Sequence, residues 1–401
     1  MNKTTHILTS LLVFSAAFMH PKFVHADSGR LTSPSPSHQT PYLTPSQPKL
    51  NAKAYLLVDV NSGKILAAQD SESKLPPASL TKLMTLYVIS KALHNEQIHL
   101  SDKVHISNAA WKTGGSRMFV KAGQDVTIED LLKGIIVDSG NDACVAMAEH
   151  LGGSEQGFAD LMNQEAKNLG MENSHFTDST GLPSDDLYTT AKDLAILARA
   201  LIRDYPEYYH WYKQKWFTFN EIRQPNRNRL LWRDTAIDGM KTGYTDKAGY
   251  CLAASAKQND MRLVSIVLGS PTDAARSDDS ERLLKYGFRF FETHRLYEAG
   301  KSLTELPLYK GIDNHLPIGL LQDQYVTIPT GQYQHLSIKT KASKYLQAPI
   351  EKHQEVGELV ISFNNEVISS RPVYALKAIP SAGMISRAQD AVVLKFKQWF
   401  G

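Results

Sequence analysis

The spacing of apolar positions changes several times along the chain, and each change predicts an element. Residues 53–60 and 65–68 carry dense apolar runs on either side of the turn Asn61-Ser-Gly-Lys64, which predicts a hairpin of two short strands. Pro76 and Pro77 stop the chain. After them Leu80, Leu83, Met84, Tyr87, Val88 and Ala92 recur at three- and four-residue steps, so a helix starts here. Leu86 and Ile89 fill part of its other face, as expected of a helix buried nearly all round. A second helical stretch over 125–150 opens on Thr127 to Asp130, which has the form of a capping box. It breaks at Ser139-Gly-Asn141 and resumes over 142–150. Helical periodicity returns at 156–169 and 191–202. Strands follow at 238–244, 250–256 and 262–268, the last two joined by a turn at Gln258-Asn-Asp260, and a helix is expected near 280–295. Strands at both ends with helices between them predict one mixed domain whose termini meet in a single sheet. From about residue 300 strand-like alternation at 325–328, 336–340 and 359–363, separated by Gly, Pro and Asn, predicts a small all-β domain. Over 385–400, Ile385, Ala388, Val392, Phe396 and Trp399 fall on one face, with Arg387, Asp390 and Lys397 off it. That is the pattern of an amphipathic helix suited to a membrane surface or, as the alternative, to packing on its own β-domain, with Leu394 on the polar side.

Composition changes this picture at a few points only. A chain of 401 residues fits two domains, and 42% hydrophobic residues can fill both cores. A formal net charge of +3 gives no pull toward nucleic acid, so no nucleic-acid partner is expected. Lys3, the apolar run 7–19 and the small or branched residues of Val24-His25-Ala26 read as a signal peptide over 1–26. The run is too short to span a bilayer comfortably, which favours a cleaved signal over an uncleaved anchor; either way the working part is expected outside the cytoplasm. Residues 27–50 hold Pro34, Pro36, Pro41, Pro45 and Pro48 among Ser, Thr and Gln, an extended linker. Cys144 and Cys251 are too few for a disulfide scaffold and are expected to be free thiols. The 14 histidines are scattered, without His-x-x-x-His or Cys-x-x-Cys spacing, so neither metal nor cofactor is expected.

Two polar residues interrupt the apolar start of the helix after Pro77. Ser79 and Lys82 are three apart and share a face. Burial lowers a lysine pKa, and a neutral amine beside a hydroxyl can take its proton, which makes Ser79 a candidate nucleophile and Lys82 its base. The helix N-terminus also favours developing negative charge.

Ser-x-x-Lys alone is weak evidence. A second copy, Ser71-Glu-Ser-Lys74, has no apolar period behind it and reads as a solvated turn. Lys-Thr-Gly is also present twice: Lys112-Thr-Gly114 reads as a loop, whereas Lys241-Thr-Gly243 lies on an extended segment leading into a hairpin. The weight lies in order and context. Ser79-x-x-Lys82 opens a helix, Ser139-Gly-Asn141 sits in an interhelix corner, and Lys241-Thr-Gly243 lies on a strand. That triple motif is the signature of β-lactamases and penicillin-binding proteins. With its flanks Pro77-Ala-Ser-Leu-Thr-Lys-Leu-Met84, Ser139-Gly-Asn-Asp-Ala-Cys144, Asp238-Gly-Met-Lys-Thr-Gly-Tyr-Thr245 and Gly287-Phe-Arg-Phe-Phe-Glu-Thr293, the chain from about residue 50 onward resembles the low-molecular-mass penicillin-binding proteins, the D-alanyl-D-alanine carboxypeptidases.

The resemblance implies an α/β (α+β) catalytic domain of the serine β-lactamase/transpeptidase type over 51–297, a small β-rich domain over 298–381 and a membrane-surface helix over 382–401. It implies an exported enzyme on the periplasmic side of the cytoplasmic membrane. The enzyme would trim the terminal D-alanine from peptidoglycan stem peptides and be acylated by β-lactams. Ser79 would attack the carbonyl between two D-alanines, with Lys82 as base and Ser139 relaying a proton to the leaving amine. Asn141 would hold the substrate amide and Lys82. Lys241 and Thr242 would face the substrate carboxylate, and Gly243 would let its backbone approach. The N–H groups of Ser79 and Tyr244 would form the oxyanion hole, although family members often carry His where Tyr244 stands. Arg276, Arg227 and Ser116 match family positions at the cleft, while Arg117 departs from the serine some members carry. Cys144 lies close behind the corner motif and reads as a packed thiol.

Three alternatives differ in class. A β-lactamase needs a fast deacylation base, for which Glu165-Ala-Lys-Asn168-Leu169 comes close with its Leu-Asn pair reversed. A D,D-endopeptidase would use the same scaffold. A wall-peptide-binding module would work through the β-domain alone.

Overall fold

Ala54 on the first strand is the register partner of Leu268, so the two ends of the mixed domain meet in one sheet. The computed structural model describes residues 45–400; the proposed signal peptide and most of the Pro-rich linker lie outside them. Ala54–Asp59 and Ile65–Gln69 form the expected antiparallel hairpin. The sheet has five strands, in the spatial order Ile65–Gln69, Ala54–Asp59, Met261–Ser270, Gly249–Gln258, Ile237–Thr245, and every neighbouring pair is antiparallel. Its strands are apolar on both faces because both are covered. One face packs Leu56, Val58, Val264 and Ile266 against the helical layer; the other packs Leu57, Leu263 and Val267 against Leu283 and Leu284.

The chain after Pro77 does not enter an α-helix at once. Ala78–Thr81 is a 3₁₀ turn and the α-helix runs from Lys82 to His94. It is the expected core helix, with Leu83, Met84, Leu86 and Ile89 all buried. Thr127 caps the helix Ile128–Lys133: its Oγ1 accepts from Asp130 N–H at 3.2 Å, and its hydroxyl donates to the Asp130 carboxylate at 2.8 Å. A π-helical turn, Gly134–Asp138, follows, and Ser139 adopts left-handed φ 59° before the next helix, Asn141–Gly152.

Two expectations are corrected. The helix expected near 280–295 runs instead from Asp273 to Phe290, because Thr272 caps it by accepting from Ala275 N–H at 3.0 Å. Phe291–Tyr297 is a strand; Phe291 and Thr293 are buried while Glu292 and His294 are not, a period of two. It pairs with Gln324–Pro329. The remaining β-rich unit is a six-stranded sheet. Its strands Ser302–Tyr309, His315–Gly319 and Glu366–Ala375 went unread in the sequence, because Pro307, Pro317 and Pro372 punctuate them and polar residues dilute the alternation. Asp59, fully buried, joins the two units: its carboxylate accepts from Ser62 and from Thr293, and Ser62 and Thr293 both bond Thr327.

Met384–Phe400 is the terminal helix. It rests on the β-rich sheet through the side that the sequence marks as polar. The Asp390 carboxylate accepts from Lys310 N–H, Tyr345 hydroxyl donates to Lys397 O at 3.0 Å, and Leu394 is buried. Ile385, Val392, Phe396 and Trp399 are left exposed, by 65–86%.

Candidate active site

Lys82 is fully buried, and its Nζ lies 3.0 Å from Ser79 Oγ and 2.6 Å from the carbonyl of Thr180, to which it donates. The 3₁₀-to-α junction brings the two side chains to this separation across three residues. Burial holds the amine below the ordinary lysine range; nearby Arg227 acts the same way, and Asp178 and Asp142 oppose it. Ala78, just before Ser79, has left-handed φ 49°, an uncommon conformation for a residue with a Cβ and one that clusters at functional sites.

The turn that carries Ser79 is held from two sides. On one, Gly243 packs so closely that a Cβ there would lie 3.0 Å from Pro77 O and 3.1 Å from Ser79 N. The resemblance implies a role for this glycine in substrate approach; what the structure shows is that it admits the Ser79 turn against the sheet. On the other, Gly181, at φ 83°, leaves room for Ala78 O, which a Cβ would meet at 2.0 Å. The Gly181 loop is set by Asp178, whose carboxylate accepts from Thr180 N–H, Thr180 hydroxyl and Gly181 N–H. Neither Asp178 nor Thr180 is marked in the sequence; the only local sign is the turn-forming run Asp178-Ser-Thr-Gly181.

Ser139 and Asn141 are both buried at the interhelix corner. Asn141 Nδ2 donates to Gly114 O at 2.7 Å and its backbone N–H to Ser116 O at 2.7 Å. Its Oδ1 is buried and has no partner among the described residues. Lys82 bonds Ser79 and Thr180 rather than Asn141. The Lys112-Thr-Gly114 copy is only partly the loop expected: Lys112 ends the helix Asn108–Lys112, and Thr113 and Gly114 form the loop that frames the corner. Asp142, absent from the sequence reading, fastens that loop: its carboxylate accepts the N–H groups of Met118, Phe119 and Val120 at 3.0, 2.9 and 3.2 Å. Arg117 adds an ion pair to Asp142 at 3.7 Å.

Lys241 and Thr242 are buried on the edge strand, with Lys241 Nζ 3.1 Å from Thr242 O. Burial pushes Lys241 well below the ordinary lysine range, and Lys82 and Arg227 push the same way. A bound carboxylate would relieve that repulsion. Tyr244 is half exposed; its hydroxyl donates to Asp246 at 2.8 Å and its ring lies 4.3 Å from that of Tyr250. Arg227 is exposed and its Nε donates to Asp138 O at 3.2 Å. Arg276 is held inside the fold. It sits in the first turn of Asp273–Phe290, buried, donating to Gly243 O at 2.9 Å and Cys251 O at 3.3 Å and paired with Asp273 at 2.5 Å. It braces the strand behind the site.

Cys144 is a buried free thiol near Lys82, pushed up to about 12 by burial, hence a packed neutral group. Cys251 is also buried and free. Glu165 lies elsewhere: it accepts from Lys91 Nζ at 2.7 Å, far along the helix from Lys82. Ser71 to Lys74 form a surface turn, with Glu72 paired to Lys192. Among the described residues no cluster of His, Cys, Asp and Glu has the form of a metal site.

The family described as D-alanyl-D-alanine carboxypeptidase matches residues 42–272, and the C-terminal domain of penicillin-binding protein 5 matches residues 291–381. The chain is 44% identical over 366 residues to the D-alanyl-D-alanine carboxypeptidase DacC of Escherichia coli (strain K12), covering 89% of this chain and 92% of that protein. It is 42% identical over 359 residues to DacA of Haemophilus influenzae, covering 88% and 91%. Among solved structures, penicillin binding protein 5 from Haemophilus influenzae superposes with a TM-score of 0.80 at 41% identity, over 84% of this chain and 100% of that one. The ampicillin-bound penicillin-binding protein D2 from Listeria monocytogenes aligns with a TM-score of 0.56 at 30% identity, over 61% of this chain and 100% of that one.

Proposed function

The chain belongs to the D-alanyl-D-alanine carboxypeptidase family, and on that premise we propose how its own residues carry the reaction. As a member it is a serine hydrolase and a penicillin-binding protein, with a role in cell-wall remodelling; the β-lactamase, endopeptidase and binding-module alternatives are not favoured. The observation that carries the mechanism is the buried Lys82 amine between Ser79 Oγ and Thr180 O. A neutral Nζ donates to Thr180 O and keeps a lone pair for the Ser79 proton. Ser79 Oγ then bonds to the carbonyl carbon of the terminal D-alanyl-D-alanine amide. The oxygen of the tetrahedral intermediate is held by the N–H groups of Ser79 and Tyr244, each such donor being worth about 3 kcal/mol. Ser139 gives its hydroxyl proton to the leaving nitrogen and takes in its place the one Lys82 received, the C–N bond breaks, D-alanine departs, and water later hydrolyses the ester on Ser79.

Substrate is held from three directions. Asn141 Oδ1 accepts the substrate amide. Lys241 and Thr242 receive the terminal carboxylate, with Arg227 adding charge from the cleft edge and Ser116 lining the loop opposite. Arg276 acts through Gly243 O and does not touch substrate. The same serine opens β-lactam rings to give a slowly hydrolysed adduct.

The exposed Ile385, Val392, Phe396 and Trp399 face supports a terminal helix lying in a membrane surface, anchored to its domain by Asp390 and Leu394. No helix among the described residues is long and apolar enough to cross a membrane. With residues 1–26 as an export signal, the enzyme works at the periplasmic side of the cytoplasmic membrane, and the β-rich domain spaces the site from the lipid. A mass-spectrometric time course with diacetylated Lys-D-Ala-D-Ala and then benzylpenicillin tests the chemistry. Release of one D-alanine and a lasting adduct on Ser79 are expected; rapid penicillin turnover without peptide cleavage would overturn it.

A further inference from the structure

A cavity of about 1010 Å³ lies where the mixed domain meets the β-rich domain, and none of the residues assigned to the reaction lines it. It is bounded by the turn at Asn61 and Ser62, by the end of the helix Ala191–Asp204, by the start of the strand at Arg262, and by Arg371 and Tyr374 of the β-rich sheet. Four arginines line it: Arg199, Arg203, Arg262 and Arg371. Two of them are neutralised within the protein, Arg203 by Asp204 and Arg262 by Asp238. Arg199 and Arg371 have no carboxylate within ion-pair distance among the described residues. Arg199 Nε donates to Val60 O at 3.0 Å. Its guanidinium tip lies against Gly63, where a Cβ would come within 2.9 Å of it, so the glycine turn makes its seat. The acid that most nearly answers it, Asp59, is already engaged by Ser62 and Thr293. Burial holds Arg199 below the usual guanidinium range, the charges of Arg203 and Arg371 push the same way, and Asp59 opposes them.

We propose that this cleft is a second peptidoglycan-binding site, in which Arg199 and Arg371 hold a carboxylate of a stem peptide that is not being cleaved. The proposal rests on the carboxypeptidase reading, which supplies a substrate carried on a polymer. A planar carboxylate matches a guanidinium pair in shape. Asn61, Gln322 and Tyr325 line the same cavity and suit the amides and hydroxyls of the attached chain, groups that a free phosphate lacks. The volume is at the upper end for a small-molecule site and fits a disaccharide-peptide. Holding one stem peptide here raises the effective concentration of its neighbours at Ser79.

The test uses the full-length protein with Ser79 blocked by benzylpenicillin, the adduct being verified by mass on the same sample. A disaccharide-tetrapeptide fragment is titrated calorimetrically into the blocked enzyme. Saturable binding is expected, weakened tenfold or more by Arg371→Glu and by Arg371→Gln, and equally by methyl esterification of the fragment, with the penicillin acylation rate unchanged. Absence of saturable binding, undiminished binding by both variants, or equal binding of the esterified fragment would overturn the proposal. Displacement by an equal concentration of inorganic phosphate would reduce the cleft to a general anion site and overturn the assignment too. Failure to form the penicilloyl adduct is a separate readout and would count against the carboxypeptidase reading instead.

Discussion

Lys82 Nζ lies 3.0 Å from Ser79 Oγ on a side chain with no exposed surface. If the unprotonated amine is the base, acylation rises with pH through the lowered lysine value and the ascending limb lies below the ordinary range near ~10.4. Lys82→Arg keeps the charge but cannot be deprotonated at these pH values, and is expected to slow acylation about 10²–10⁴-fold. The rate of penicilloyl adduct formation across pH checks both. An ascending limb in the ordinary lysine range would count against the assignment.

Asp138, next to Ser139, is buried, and burial pushes its carboxyl up to about 7 against the pull of Arg227. Between the usual carboxylate value and 7 the folded protein keeps a proton that the unfolded chain has released. Its stability therefore falls as pH rises through that window. Asp138→Asn escapes this cost, so its melting temperature relative to the unmodified protein climbs between about pH 4 and pH 8. Thermal melts at several pH values decide the point; curves that stay parallel would refute it.

Gly181 stands at φ 83°, with Ala78 O only 2.0 Å from where a Cβ would sit. Gly181→Ala must displace the turn carrying Ser79. A loss of about 2–5 kcal/mol in denaturant unfolding is expected from overpacking and the left-handed backbone, together with slower acylation by the folded fraction. An unfolding midpoint equal to that of the unmodified protein would show that the loop gives way freely.

Phe396 and Trp399 present 65% and 86% of their surface to solvent, on the side of the terminal helix away from buried Leu394. Each large apolar side chain buried in lipid is worth about 1.5–3 kcal/mol, so Phe396→Ser and Trp399→Ser should each weaken vesicle binding about tenfold or more. Activity on soluble peptide should not change. Co-sedimentation with anionic phospholipid vesicles measures it, and variants that sediment like the parent would refute surface docking.

What the sequence by itself determined is local or periodic. Ser79 and Lys82 are legible because a spacing of three on a helix start places them together whatever surrounds them. The hairpin at Asn61-Ser-Gly-Lys64, the Thr127 cap and the buried helix after Pro77 follow from period and turn chemistry in the same way. The strand at Phe291–Tyr297 was misread because a helix and a strand abut there with no turn residue between them. What only the tertiary structure decided involves partners distant in the chain, joined through backbone atoms that every residue possesses. Thr180 reaches Lys82 with its carbonyl, Asp142 grips three N–H groups of the 118–120 loop, and Arg276 holds the carbonyl of Gly243. Leu394, which lies off the apolar face by spacing, proves to be the residue that packs, because the domain meets that side of the helix. Backbone carbonyls and amides leave no mark in composition or period, so their pairing becomes visible only when folding brings the segments together.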